Sequence, residues 1–251
     1  MKIEIQSFGA GVQSVALAIL NATGRVTPRA DLAVFCDPGS EEVETYRLLP
    51  IYAEWLGQYD YPLATVKARE GDLAEYLGTR SIPIPIYRAN EHGDAMGHRQ
   101  CTNKWKIQPL YRAARALGAD HLVCQLGISL DEYHRMKPAK VQWVENRWPL
   151  IELRLSRRDC LTIISEADLP IPPKSACTFC PYQSTSRWQW RAIERPEEFE
   201  QVAQLEDVIR AREPNVYLSR HLRPLRTVVS GAQMTLDDAL DGEECTGVCF
   251  T

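Results

Sequence analysis

The 251-residue chain contains no apolar run approaching the ~20 residues that a membrane-spanning helix needs. It shows no secretory leader pattern at its start, and a cytoplasmic protein is expected. Charge of one sign is also lacking: 29 Lys and Arg stand against 33 Asp and Glu, net −4, which makes no case for a chain that binds a polyanion with its whole surface. There is no internal repeat and no low-complexity tract. The first strand-to-helix turn matches neither G-x-x-x-x-G-K-S/T nor G-x-G-x-x-G, which disfavours a Walker-type kinase and a dinucleotide dehydrogenase. With 45% hydrophobic and 25% charged residues, the chain can bury one sizeable core, or a core with a small appendage.

What is present begins at residue 2. The strand-like Lys2–Gln6 runs into Ser7-Phe8-Gly9-Ala10-Gly11-Val12-Gln13-Ser14 and then into an apolar helical segment. Such a loop points backbone N–H groups toward one spot at the positive end of a helix dipole. Gly9 and Gly11 leave room there, and Ser7 and Ser14 add hydroxyl donors, so the loop suits a phosphate. The plainer reading is a turn that uses glycine for conformation only.

Strand-like segments at Lys2–Gln6, Leu32–Phe35, Ala64–Lys67 and His121–Leu126 alternate with helix-like segments at Val12–Asn21, Glu41–Gly57, Leu73–Leu77 and Lys106–Leu117. This alternation predicts an α/β fold, a Rossmann-like parallel sheet with flanking helices whose ligands bind at the carboxyl ends of the strands. After Leu169 the texture changes to Pro170, Pro172 and Pro173, then Cys177-x-x-Cys180-Pro181, then helices over Ser186–Glu194 and Pro196–Glu213. The chain closes on Cys245-x-x-x-Cys249. Two domains are expected: residues 1–169, binding nucleotide, and residues 170–251, a small helical and irregular module carrying both cysteine motifs.

Eight cysteines in a reducing compartment are more readily metal ligands or redox groups than disulfides. Cys177 and Cys180 have a metal-knuckle spacing. Tetrahedral zinc on Cys177, Cys180, Cys245 and Cys249 is one reading of the set; Cys36, Cys124 and Cys160 lie in apolar contexts and read as core. Arg135, Lys137, Lys140, Arg147, Arg154, Arg157 and Arg158, interleaved with Trp143 and Trp148, form a locally basic stretch. It suits nucleic acid or an ordinary surface.

Five blocks in order, over residues 3 to 182, resemble the phosphoadenosine phosphosulfate reductase-like branch of the PP-loop (adenine nucleotide alpha-hydrolase-like, HUP-type) superfamily. Ser7 to Ser14 is similar to the pyrophosphate loop. Phe35-Cys36-Asp37-Pro38-Gly39 with Glu44-Thr45-Tyr46 is similar to D-T-G…E-T-Y. Arg99 to Pro109 resembles the C-T/C-x-x-x-K-x-x-P block, Gly127 to Arg135 the G-x-R-x-x-E-S-x-x-R stretch, and Pro149 to Cys160 the P-L-I-D-W…D-V segment. Gln13 stands where many members carry an acid, Ser129 where an arginine is frequent, and Cys101 is single.

The resemblance implies an adenine nucleotide, ATP or a sulfonucleotide, held by Ser7, Phe8, Gly9, Gly11, Gln13, Ser14, Asp37 and Gly127, with Mg as a further cofactor. It implies a 4Fe–4S cluster on Cys101, Cys177 and Cys180, closed by Cys249, with zinc as the alternative. Catalytic roles fall to Cys101, Lys104, Glu132 and Arg135, while Glu44 and Tyr46 are expected to orient their helix. The implied activity is ATP-dependent sulfur transfer with adenylation of the acceptor. The alternatives are a sulfonucleotide reductase and a nucleotide-binding subunit with structural zinc. Expected partners are a nucleic-acid or small-molecule sulfur acceptor, a sulfur-donor protein and a second copy of the chain in a homodimer.

Overall fold

The computed structural model of the chain describes residues 1–90 and 93–230. Along them run β1 (Lys2–Ser7), α1 (Val12–Ala22), β2 (Leu32–Asp37), α2 (Val43–Gly57), β3 (Leu63–Lys67), α3 (Leu73–Thr79), β4 (Tyr87–Asn90) and β5 (Gly93–Met96). A π-helical turn (Thr102–Ile107) leads into α4 (Gln108–Ala116), followed by β6 (His121–Leu126), a 3-10 turn (Leu130–Arg135) and β7 (Val144–Arg147). Then come α5 (Pro149–Glu152), α6 (Arg157–Glu166), α7 (Thr185–Glu194), α8 (Pro196–Arg212), β8 (Val216–Tyr217) and α9 (Leu225–Ser230). These elements form two units. The first is Met1–Arg69 with Trp105–Ala176; the second is Glu70–Lys104 with the described residues from Cys177 onward.

In the first unit β3-β2-β1-β6-β7 form a five-stranded sheet in which every neighbouring pair is parallel. Strands buried on both faces read as apolar runs, and β2 shows why. Ala33 and Phe35 point into the core beneath α1, α2 and α6, whereas Val34 and Cys36 point into the opposite core, with Leu110 and Ala114 of α4. Strand order runs outward from β1 in both directions, the Rossmann-like arrangement. Its reversal falls between β1 and β6, and at the carboxyl ends flanking such a reversal open α/β sheets bind their ligands.

The α1 face of β1 is polar instead. Gln6, fully buried, donates to the Ser14 carbonyl at 2.7 Å. Asn21 of α1 donates to Gln6 Oε1 and to Gln125 Oε1, and Gln125 and Arg147 both donate to buried Glu4. Buried amides need such partners, and here their pairing fixes α1 in register on β1 and β6.

The second unit holds the antiparallel sheet β5-β4-β8 and the helices α3, α7, α8 and α9. Trp188, Phe199 and Val202 are buried in it. Glu206 of α8, also buried, accepts the Leu218 and Leu225 N–H groups, and burial raises its carboxyl above the ordinary range.

A single boundary at 169/170 does not describe this division. Residues 70–104 belong with the later part of the chain, because β4 pairs with β8 and Arg212 of α8 donates to the Leu77 carbonyl of α3. Residues 170–176 remain with the first unit, where Glu42 N–H donates to the Ala176 carbonyl and Tyr52 to that of Pro170. Among the described residues no helix is long and apolar enough to cross a membrane.

Candidate functional site

The loop after β1 turns within four residues, and Ala10 takes a left-handed φ of 55° to do so. A non-glycine residue there costs of order 1–2 kcal/mol. Gly11 caps α1: its N–H donates to Ser14 Oγ, which donates back to the Gly11 carbonyl at 2.9 Å. The Phe8 amide is taken by the Val34 carbonyl, and the Phe8 ring is buried edge-on against Tyr52, so Phe8 serves the core rather than a ligand. The amides of Gly9, Ala10, Val12 and Gln13, by contrast, donate to none of the described residues. They include orphan N–H groups of a helix start, where an anion is favoured.

Neither glycine of this loop is demanded by conformation or by neighbouring atoms. Both lie outside the left-handed region. A Cβ on Gly9 meets nothing nearer than Ser14 Oγ at 3.9 Å, and one on Gly11 nothing nearer than Ser175 Cβ at 3.7 Å. No atom of the described residues stands closer than ordinary van der Waals contact to where a Cβ would lie at either position. Gly127 differs. A Cβ there would stand 3.0 Å from Ser14 N and 3.1 Å from Gln13 C, so its role is to let the loop after β6 approach the first turn of α1.

That approach brings Gln13 to the 3-10 turn. Gln13 Nε2 donates to Glu132 Oε2 at 3.2 Å, and Arg135 pairs with the other carboxylate oxygen of Glu132. The amide at this position thus binds a carboxylate already neutralised by arginine. Ser129, fully buried, donates to Asp131.

At the end of β2, Asp37 is buried. Its Oδ1 accepts the Gly39 N–H at 2.8 Å and the Tyr46 hydroxyl at 2.7 Å, while Lys67 Nζ lies 3.7 Å from Oδ2. Burial, then the hydrogen bond to Asp37, hold the Tyr46 hydroxyl well above its ordinary pKa, so it stays a donor at neutral pH. Tyr46 therefore orients Asp37, whereas Glu44 pairs with Arg47 on the surface. Buried Glu41 holds Lys106 Nζ at 3.0 Å and accepts from Ser175 Oγ. Two chain segments thus attach to the loop after β2: Lys106, five residues past Cys101, and Ala176, the residue before Cys177.

Ser7, Gly9, Gly11, Gln13, Ser14, Asp37, Gly127, Glu132 and Arg135 lie in the first unit, at the carboxyl ends of its strands. Cys101, Lys104, Cys177 and Cys180 lie in the second. Lys104 stands over the Tyr76 ring at 5.5 Å. Cys180 N–H donates to the Cys177 carbonyl at 3.0 Å, and the Gln183 side chain binds the Cys177 and Thr178 carbonyls, which fixes the C-x-x-C segment as one tight turn with both thiols partly exposed. This donor pair suits a thiophilic metal or one face of a cluster. Among the described residues no three His, Cys, Asp or Glu side chains gather for a metal. Cys245 and Cys249 lie outside the described residues. Cys36, Cys124 and Cys160 are buried, and burial pushes each thiol up to about 12, which leaves them neutral and inert at physiological pH.

No protein-family model and no curated protein matches the chain. Among the solved structures similar to it are the following two. One is a phosphoadenylyl-sulfate reductase from Candida auris in a phosphate complex, 15% identical, with a TM-score of 0.47 over 67% of this chain and 74% of that one. The other is a U34-tRNA thiolase from Methanococcus maripaludis with its 4Fe–4S cluster, 17% identical, with a TM-score of 0.45 over 92% of this chain and 70% of that one.

Gln6, Glu41, Ser175 and the pairing of Tyr46 with Asp37 take their places through tertiary contacts that no local sequence pattern marks. The one cue available was the run Ser40-Glu41-Glu42, an acidic cluster at the end of an apolar strand where a lysine is needed to balance it.

Proposed function

We propose that the chain is an ATP-dependent sulfur-transfer enzyme that adenylates its acceptor. The observation that carries this reading is the set of loop amides that donate to none of the described residues, beside two glycines that neither backbone conformation nor a neighbouring atom demands. A carbonyl-type oxygen of the acceptor attacks the α-phosphorus of ATP, the bond to the bridging oxygen breaks, and pyrophosphate leaves. The Gly9, Ala10, Val12 and Gln13 N–H groups stabilise the charge gathering on the departing phosphates. Sulfide-level sulfur then adds at the activated carbon, and AMP departs with the former carbonyl oxygen. Asp37, aimed by Tyr46, receives ribose or adenine donors. Arg135, with Glu132 beside it, meets phosphate.

In this reading Cys177 and Cys180 would hold two irons of a 4Fe–4S cluster and Cys101, which is not gathered with them among the described residues, a third; the remaining iron, free of thiolate or reached by an exchangeable Cys249, would supply a thiophilic site for the sulfur that is transferred. ATP is the nucleotide, Mg accompanies its phosphates, and a cytoplasmic setting keeps the thiols reduced.

A second reading, a sulfonucleotide reductase, is favoured by Gln13. The loop carries no acid, and the carboxylate that Gln13 reaches, Glu132, is already paired with Arg135. One anaerobic experiment separates the two. Sulfur transfer gives AMP and pyrophosphate from ATP when sulfide and an acceptor such as unmodified bulk tRNA are present, whereas reduction gives sulfite and AMP from adenylylsulfate as an added dithiol is oxidised to its disulfide. Sulfite release without ATP cleavage would overturn the sulfur-transfer proposal.

A further inference from the structure

Outside the site, the first unit carries a groove of about 750 Å³ along α4, between the end of β3 and the segment before β7. Lys67, Arg69, Arg112 and Arg115 line it, and none of its lining residues is acidic. In a chain of net charge −4 such a local excess is not what average composition supplies. Arg112 donates to the Lys67 carbonyl and Arg115 to that of Ala119, so neither bond cancels the guanidinium charge. Asp120, just past the Arg115 end, is already bound to the chain's amino terminus.

The groove is also aromatic. Tyr111 and Trp143 meet edge to face at 5.3 Å, and the Arg115 guanidinium lies 3.8 Å over the Trp143 ring, which holds it flat and pre-aimed. Cations spaced along an apolar, aromatic floor match a strand that alternates phosphates with flat bases; an acidic peptide would need the charges only. The helix that forms the floor spans about 13 Å at ~1.5 Å per residue, room for roughly two or three nucleotides. Lys67 connects the groove to the candidate site, since its Nζ also lies 3.7 Å from Asp37.

We infer that this groove binds single-stranded nucleic acid, with Arg69, Arg112 and Arg115 on its phosphates. The inference stands on the groove itself and needs no step of the sulfur-transfer reading. Its test is fluorescence anisotropy of the full chain with a short labelled single-stranded RNA, and with DNA of the same sequence, over a series of salt concentrations. The expected result is binding whose log K falls with log salt at a slope of about −2 to −3. Arg69→Glu with Arg112→Glu should lower affinity at least ~10-fold and flatten the slope by about 1.4, and Arg69→Glu alone by about half of that. The Gly9→Ala, Gly11→Ala chain should bind RNA as the unsubstituted one does, which separates failure here from failure of the nucleotide site. Preference for RNA or for DNA identifies the sugar read and supports the inference either way. Absence of binding at low salt, an unchanged slope in folded charge-reversal variants, or equal competition by polyglutamate would overturn it.

Discussion

Alanine at both Gly9 and Gly11 is expected to leave the chain folded and slightly more stable while lowering its affinity for ATP about a hundredfold. Both glycines lie outside the left-handed region, and their added Cβ atoms meet nothing of the protein nearer than 3.7 Å. Alanine there reduces the freedom of the unfolded chain, worth roughly 0.4–1 kcal/mol at each position. In the proposed complex the same two methyl groups would crowd a triphosphate held on the loop amides. Keeping a triphosphate from two charge-assisted N–H contacts removes about 3 kcal/mol, hence the hundredfold loss. Thermal unfolding and nucleotide titration on one sample read both signs. A fall in stability with unchanged affinity would mean that the glycines serve the turn and not a ligand. Gly127→Ala is the contrasting case, because its Cβ would press on the Ser14 backbone at 3.0 Å and disturb the fold itself.

Serine at Cys177 or Cys180 is expected to remove the metal and the sulfur-transfer activity while leaving ATP binding intact. The two thiols sit in one turn, closed by Cys180 N–H to the Cys177 carbonyl and braced by Gln183, so losing either removes half of a paired donor set. Anaerobically purified protein should carry about four irons per chain, and either variant far fewer. Cys160→Ser is the control, since that thiol is buried and pushed up to about 12. Iron retained in both variants, or one zinc per chain in place of iron, contradicts the proposed cluster.

The sheet was legible where burial is two-sided. β1, β2 and β6 are buried at nearly every position, and the edge strand β3, partly exposed throughout, still shows Leu63, Ala64 and Val66; alternating with helical segments along the chain, the four imply parallel pairing. β7 was not legible, because Val144-Glu145-Asn146-Arg147 is an edge strand with only Val144 buried. The β4–β5 hairpin hid for a related reason: Tyr87-Arg88-Ala89-Asn90 has no apolar alternation, and its partner β8 is more than a hundred residues away in sequence. α6 could have been found. Ser156 and Asp159 form a capping box ahead of the buried Cys160, Ile163 and Ile164.

The site divides along the same line. The loop, Asp37 and the Gly127–Arg135 stretch follow directly from strand ends, so one strand rule locates them. Gln6, Glu41 and Ser175 act through tertiary contacts between distant segments, which no local pattern encodes. Nor could a single boundary near residue 170 anticipate that residues 70–104 join the later part of the chain, since pairing between β4 and β8 decides it.

The central claim is that an adenine nucleotide sits with its phosphates on the amides of Gly9, Ala10, Val12 and Gln13. A crystal structure of the full chain with a non-hydrolysable ATP analogue tests it most directly. The account predicts phosphate oxygens within hydrogen-bond distance of those amides and the nucleoside against Asp37; phosphates bound elsewhere, with the loop amides facing only solvent, would contradict it.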